Sequence, residues 1–299
     1  MFTYEKFKET VKRELQRTFG ESCEVVEERV VKNNDVVMDG LAVIGKGTTG
    51  NHAAPIIYVQ ELYENHKAGC SVEELVNQVA DSLKQTIPID ISILEKSFWE
   101  ISHLVSMVLV NKELNQEKLK ELVNMDFLDL SVIFKLKLHS FEGMSCTCNI
   151  TNALLEIWKI TKETLTAIAW NNLLKEKVVL QDVMSFILKE DRKCFAPEDE
   201  LDEDLKLMVL TNEELTYGAS MLMRTEILDS YANKVGKNLY IFPSSINEVM
   251  ILADDGTRDA EDLQEMVTFI NEYHVDEKEV LSNSIYYYDR KIRKVRKLC

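Results

Sequence analysis

The sequence is short of several things, and each shortage removes a class of protein. No apolar run approaches the roughly 18 residues that a membrane-crossing helix requires, so no membrane span is expected. The start, MFTYEKFKETVKREL, carries a charge every few residues where a secretory leader would be apolar, which predicts a cytoplasmic chain. The six cysteines (Cys23, Cys70, Cys146, Cys148, Cys194 and Cys299) are scattered and contain no C-x-x-C pair; they are expected to be reduced thiols, not a disulfide framework. The five histidines, His52, His66, His103, His139 and His274, show no H-x-x-x-H or HExxH spacing. A Gly-x-Ser-x-Gly nucleophile elbow is absent, as are sequence repeats and low-complexity tracts.

What is abundant is negative charge, unevenly spread. The net charge is −16, from 35 basic and 51 acidic residues. The last ten residues, RKIRKVRKLC, hold six basic groups and no acid, so residues 1–289 carry 35 − 6 = 29 basic against 51 acidic groups, a net of −22. Such a body repels nucleic acid over most of its surface. A second block, EDELDED at Glu198–Asp204, has six acids in seven residues and follows Pro197; it reads as solvated.

Hydrophobic periodicity then locates the elements. Tyr4, Phe7, Val11, Leu15 and Phe19 recur at helical steps, with Thr3 to cap the run and Gly20 to close it. CEVVEERVV and VVMDGLAVI read as strands around the turn KNND, and IIYV as a short strand. SVEELVNQVADSLKQT opens with the S-x-x-E capping box of Ser71 and Glu74. HLVSMVLV reads as a buried strand and NQEKLKELV as a helix. LSVIFKLKLHSFEGMSCTCNIT is a hairpin about Glu142-Gly143, with Val132, Phe134, Leu136 and Leu138 alternating with polar residues. TNALLEIWKI and TKETLTAIAWNNLLKE each have a threonine at the N-cap, and LQDVMSFILKEDRK is a further helix. The final third reads strand–helix–strand–strand–helix–strand through ASMLM, EILDSYANKVG, NLYIF, VMILADD, DAEDLQEMVTFINEY and SIYYYDR. In its second helix Asp259 caps, and Leu263, Met266, Val267, Ile270 and Tyr273 form the apolar stripe.

Strands that come mostly in pairs joined by short turns predict an α+β fold, with mostly antiparallel sheets built from hairpins and packed against helices. Soft boundaries are expected between an N-terminal α+β region (1–190), an acidic linker (191–206), a C-terminal α+β region (207–291) and a basic tail (292–299), within one domain or two.

APIIYVQELYENHKAG, FLDLSVIF, YGASMLM, LYIFPSSINEVMILADDG and YYYDRK together resemble an uncharacterised family of proteins of Gram-positive anaerobic bacteria, a domain of unknown function. The matching segments run from about residue 24 to 291. The resemblance implies a bacterial cytoplasmic protein and supplies no activity, substrate or catalytic residue. Where that family's pattern carries a histidine after the two serines, this chain has Asn247, which weakens a serine–histidine pairing here.

The candidates for chemistry each have a plainer reading. Pro243-Ser244-Ser245 offers two serines, but Pro243 cannot donate to a sheet and ends NLYIF, while Ser245-Ile246-Asn247-Glu248 is S-x-x-E. Bend and cap is the expected role, and a nucleophile the alternative. Gly40–Gly47 nearly spells a phosphate-binding loop, but Gly47 replaces the hydroxyl and Leu41–Ile44 are strand-like, so nucleotide binding is not expected. Cys146 and Cys148 share a strand face; a hairpin loop of even length sets them opposite Lys135, Lys137 and His139, where cations would lower a thiol pKa. No fourth metal ligand is evident, so semi-buried thiols are expected, with redox or metal chemistry the alternative. The acids from Asp254 to Asp262 fit a turn and a helix start, not a calcium loop. No cofactor and no metal site are expected.

The basic C-terminus, with Arg290, Lys291, Arg293, Lys294, Arg296 and Lys297, is either a solvated or folded-back terminus or a contact arm. As an arm it would meet an acidic partner, protein or nucleic acid, or anionic lipid, with Tyr286–Tyr288 able to stack. The expectation is a non-catalytic cytoplasmic binding protein of unknown partner. Its rival is a hydrolase or thiol-dependent enzyme using Ser244, Ser245, Cys146 or Cys148, with His139 nearby.

Overall fold

A computed structural model describes residues 2–46, 52–85, 89–90, 92–141, 144–190 and 206–299. The chain divides into two compact units: Met1–Lys32 with Val36–Lys96, and Asn33–Asp35 with Ser97–Cys299.

In the first unit helix α1 (Tyr4–Phe19) begins where the Thr3 hydroxyl accepts the Lys6 N–H. It is followed by β1 (Cys23–Val31), β2 (Val37–Gly45), β3 (His52–Ala53), β4 (Ile56–Tyr58), α2 (Val59–Lys67), α3 (Val72–Gln85) and β5 (Ile89–Asp90). Strands β1, β2 and β4 form an antiparallel sheet, and β3 pairs with β5. The apolar face of α1, Phe7, Val11 and Leu15, is buried with Val25, Leu41, Val59, Leu75 and Val76. The Ser71–Glu74 capping box forms in both directions, each backbone N–H bonded by the other side chain. Gly40 to Gly45 lie in strand β2, as the apolar sequence between them requires; Gly47 lies outside the described residues.

The second unit continues with α4 (Phe98–Ile101), β6 (Val105–Asn111), α5 (Gln116–Leu119), β7 (Asn124–Phe127), β8 (Leu130–Phe141), β9 (Met144–Asn149), α6 (Asn152–Trp158) and α7 (Lys162–Leu173). Then come β10 (Val178–Asp182), α8 (Val183–Glu190), β11 (Met208–Asn212), α9 (Thr225–Val235), β12 (Leu239–Phe242), β13 (Val249–Ala253), α10 (Ala260–His274), β14 (Tyr286–Asp289) and β15 (Lys294–Lys297). One antiparallel sheet is centred on β8, which pairs with β6, β7 and β9. The other has six strands in the order β10-β11-β13-β12-β14-β15. The fold is α+β with antiparallel sheets and packed helices, as expected.

Four local expectations need correction. ASMLM is not a strand: Gly218–Met223 wind as a 3₁₀ helix in which all six residues are buried. A short run that is apolar on every side has no period to distinguish the two. NQEKLKELV forms only the single turn of α5, since the chain must pair again at β7. LQDVMSFILKEDRK begins as strand β10, and the helix starts only after Asp182, whose carboxylate accepts the Ser185 N–H. In β8 the interleaved residues are not all polar or exposed: Ile133 is buried along with Val132 and Phe134, because both faces of the sheet are covered there.

The expected linker does not coincide with the division between the compact units. Strands β10 and β11, on either side of it, pair with each other from Val178↔Asn212 to Asp182↔Met208. Residues 191–205 themselves, with Cys194 and the acidic block, lie outside the described residues.

Candidate interaction surface at the sheet edge

The C-terminal basic run makes a turn over residues 290–293 and then the edge strand β15. Alternation in β14 sends Tyr286 and Tyr288 to one face, both fully buried, and Tyr287 to the other. Strand β15 pairs in the register Tyr286↔Lys297, Tyr287↔Arg296, Tyr288↔Val295 and Asp289↔Lys294. Asp289 shapes the intervening turn, its carboxylate accepting the N–H groups of Lys291 (2.8 Å) and Ile292 (3.3 Å), and Arg293 closes it with φ 54°. Beyond β15 the Leu298 N–H donates to Ile285 and the Ile285 N–H to Cys299, so the pairing continues to the last residue.

Three carboxylates fasten the tyrosines. Asp129, in the turn between β7 and β8, accepts the Tyr286 hydroxyl, the Ser284 hydroxyl at 2.6 Å, and an ion pair from Lys297 at 3.3 Å. Asp229 of α9 accepts the Tyr288 hydroxyl at 3.0 Å and the Arg293 guanidinium at 2.9 Å. Asp254 accepts the Tyr287 hydroxyl at 2.6 Å, and the Arg296 guanidinium lies 5.3 Å from the Tyr287 ring centre. Burial, then the hydrogen bond to Asp129, pushes the Tyr286 phenol far above its ordinary range. Burial and the Asp254 and Asp229 contacts push Tyr287 and Tyr288 up to about 12. Burial opposes ionisation of Asp129, but the Ser284 and Tyr286 hydroxyls and the Lys297 charge outweigh it and hold this carboxyl below its usual value. The raised phenols keep their protons and donate hydrogen bonds to these carboxylates, which fastens the strand to the body.

The six cations thus have different fates. Arg293 and Lys297 are paired with acids, and Arg296 faces a ring. Arg290, Lys291 and Lys294 have no ion-pair partner among the described residues. Strand β15 has a neighbour on one side only, so its outer backbone edge is open within the described sheet.

The serine candidates lie in a different setting. Pro243 ends β12 as expected, but no helix follows. Ser244 and Ser245 are buried, and the Ser245 hydroxyl accepts the N–H of Asn247 at 3.0 Å, a tight turn in place of the expected helix cap. The Pro243, Ser244 and Ile246 backbones bond to Ser282, Leu281 and Glu279. Asn247 accepts the Tyr217 N–H through its side chain and the Thr211 hydroxyl through its carbonyl. Among the described residues no histidine or carboxylate reaches either serine oxygen in these bonds.

For the cysteines, the expected turn at Glu142-Gly143 lies outside the described residues; the expected register holds where Cys146 pairs with His139 and then fails, because a bulge between Lys137 and His139 sets Cys148 opposite Leu136. The side chain of His139 lies outside the described structure. Lys135 turns to the Tyr217 ring (4.9 Å) and Lys137 to Glu214 (2.6 Å). Burial pushes both thiols up, and the Lys135 charge only partly offsets this at Cys148. That is opposite to the activation the cationic neighbours would have given.

Sequence reasoning missed Asp129, Asp229 and Asp254 as fasteners, since each partner is distant in the chain. It also missed Glu176, which lines a small polar cavity with Lys137, Asn212, Glu214, Tyr217 and Ser220. Burial raises the Glu176 carboxyl, while the Asn212 amide donates to it at 3.2 Å. The cavity holds about 10 Å³, room for a water molecule and not for a substrate. Among the described residues no group of three or more His, Cys, Asp or Glu side chains is placed to hold a metal ion, and no helix is long and apolar enough to cross a membrane.

No curated protein and no solved structure matches the chain. A family model does, over residues 4–290, nearly the whole length. The chain belongs to DUF5688, a family of unknown function.

Proposed function

We propose that this chain is a non-catalytic cytoplasmic binding protein whose recognition element is the outer edge of β15, and that its partner presents an acidic, extended peptide segment. One observation carries the reading: a regular edge strand with an open backbone edge lies beside cations that the acidic body leaves uncompensated, namely Arg290, Lys291 and Lys294. Lysine on an edge strand deters pairing with another copy of itself, because Lys would face Lys. The same charges favour an acidic strand, whose backbone would bond to β15 while its carboxylates meet the lysines. Nucleic acid is the weaker occupant, since the rest of the chain carries a net −22 by the count above, 29 basic against 51 acidic residues. Free thiols at Cys23, Cys70, Cys146, Cys148 and Cys299 suit a reducing compartment.

The test is fluorescence anisotropy with a labelled, alternating Glu–Thr peptide. Binding is expected to weaken at least about tenfold on Lys291→Glu/Lys294→Glu and to fall with salt. N-methylation of alternate amides on one peptide edge should abolish it. Equal affinity for the methylated peptide, or tighter binding of a single-stranded oligonucleotide, would refute strand addition. The rival enzymatic chemistry would appear as stoichiometric labelling of Ser244 or Ser245 by a fluorophosphonate, or of Cys146 or Cys148 by iodoacetamide at neutral pH; neither is expected.

A further inference from the structure

Helix α10 carries more apolar surface than its sheet covers. Leu263 and Val267 are buried in a cluster with Tyr240, Phe242, Leu252 and Ile285. Next to that face, Met266, Phe269, Ile270 and Tyr273 follow at i, i+3, i+4 and i+7 and form a second stripe that stays exposed. Their exposures are 47%, 57%, 37% and 63%, far above those of residues covered by packing. The Phe269 and Tyr273 rings lie 4.8 Å apart, and His274 meets Phe269 edge-on at 6.2 Å, so the aromatic part of the stripe is already assembled. A contiguous apolar stripe of this kind marks an interaction site more often than chance exposure does.

Charge decides the occupant. Every formally charged residue of α10 is acidic: Glu261, Asp262, Glu265 and Glu272, all exposed and without ion-pair partners among the described residues. A second copy laid antiparallel on the stripe would oppose acid with acid, and an anionic bilayer would be repelled. A helix with an apolar face and Lys or Arg along its margins meets both features at once: its leucine-like side chains cover the stripe and its cations answer the acids. We infer that the outer face of α10 is a docking surface for a cationic amphipathic helix of a partner protein. The site is separate from β15 and takes a partner of opposite charge, so it does not depend on the strand-addition reading.

The probe is a labelled Leu/Lys peptide with its leucines on one helical face, titrated onto the full chain. A peptide of the same composition with the leucines scattered, and a Leu/Glu peptide with the leucines on one face, are the controls. The facially amphipathic Leu/Lys peptide is expected to bind at least about tenfold more tightly than either control and to lose at least about tenfold on Phe269→Ala/Tyr273→Ala. Both side chains are exposed, so circular dichroism should be unchanged; if it is not, Phe269→Gln alone is read instead. Equal binding of the scattered peptide would reduce the attraction to bulk charge and overturn the inference. So would indifference to both the double and the single variant, self-association by sedimentation that Phe269→Ala abolishes, or uptake onto phosphatidylcholine vesicles through the same residues. Lys291→Glu/Lys294→Glu should leave this peptide's affinity intact, so failure at one surface is distinguishable from failure at the other.

Discussion

The connection Pro243–Asn247 and the hairpin β14–β15 are both polar stretches joined to the six-stranded sheet, and they treat their polar groups in opposite ways. In the connection, the groups are spent on neighbouring backbone: Ser245 turns the chain onto Asn247, and Asn247 holds Tyr217 and Thr211. In the hairpin, Arg293 and Lys297 are tied to Asp229 and Asp129, while Lys291 and Lys294 remain open to solvent. Buried polar groups must find partners, because an unmade bond there costs about 1 to 3 kcal/mol. Exposed cations carry no such penalty and remain available for a partner. A serine in a buried turn is thus weaker evidence for chemistry than a lysine at a solvated edge is for binding.

Substitutions can break this contrast, beginning with Gly218, which packs against the connection, and with Asn247 inside it. At Gly218 an added Cβ would collide with the Thr211 hydroxyl and sit 2.6 Å from the Asn247 carbonyl and 2.7 Å from the Asn212 nitrogen. Gly218→Ala is expected to destabilise by about 3 kcal/mol, read as a shift of the urea midpoint. Asn247→Ala orphans the half-buried Tyr217 N–H and should cost about 1 to 2 kcal/mol in the same measurement. Small effects from both would mean that the connection is looser than its bonds suggest.

The fastenings of the hairpin come next. Asp129→Asn keeps the shape and removes the charge that Tyr286, Ser284 and Lys297 address, with an expected loss of about 1 to 2 kcal/mol, moderated by partial exposure. Because the folded state holds this carboxyl below its unfolded value, its contribution is complete above the ordinary carboxylate range and disappears as the pH falls through the folded pKa. The variant should therefore show a flatter acid limb in stability against pH. At the alkaline end the sign reverses: Tyr287 and Tyr288, pushed up to about 12, stabilise the fold fully below the ordinary phenol pKa. That contribution is lost as the pH rises from about 10 towards the folded values, which tyrosinate absorbance and the unfolding midpoint can follow together. Smallest of all, Lys291→Glu/Lys294→Glu should change stability by less than about 0.5 kcal/mol while removing acidic-peptide binding. A large destabilisation would move these lysines into the fastened class and erase the contrast.

Much of the fold was legible in the sequence where the cause is local. The caps at Thr3, Ser71, Thr151, Thr161 and Asp259 all bond within three residues, and the sequence placed them correctly. The β8–β9 pairing was readable from Phe141↔Met144 to His139↔Cys146 for the same reason, and the bulge beyond it was not, because no residue there signals an extra position. Gly218–Met223 misled because six buried residues leave no alternation to read. The stripe on α10 was recognised, but not that the sheet would cover only part of it.

The sequence by itself determined the longer helices, many of the strands, the α+β class and an acidic body ending in a basic run, but not α2 or α4. Those features follow from periodicity, capping and composition, which act over a few residues or need no geometry. Only the tertiary structure decided that the basic run ends in an edge strand, which of its cations are neutralised, and which face of α10 stays open. Asp129 lies 155 residues from Ser284 in the chain, and Asp229 lies 59 from Tyr288. Contacts across such distances are chosen by how whole elements pack, and no local pattern encodes them.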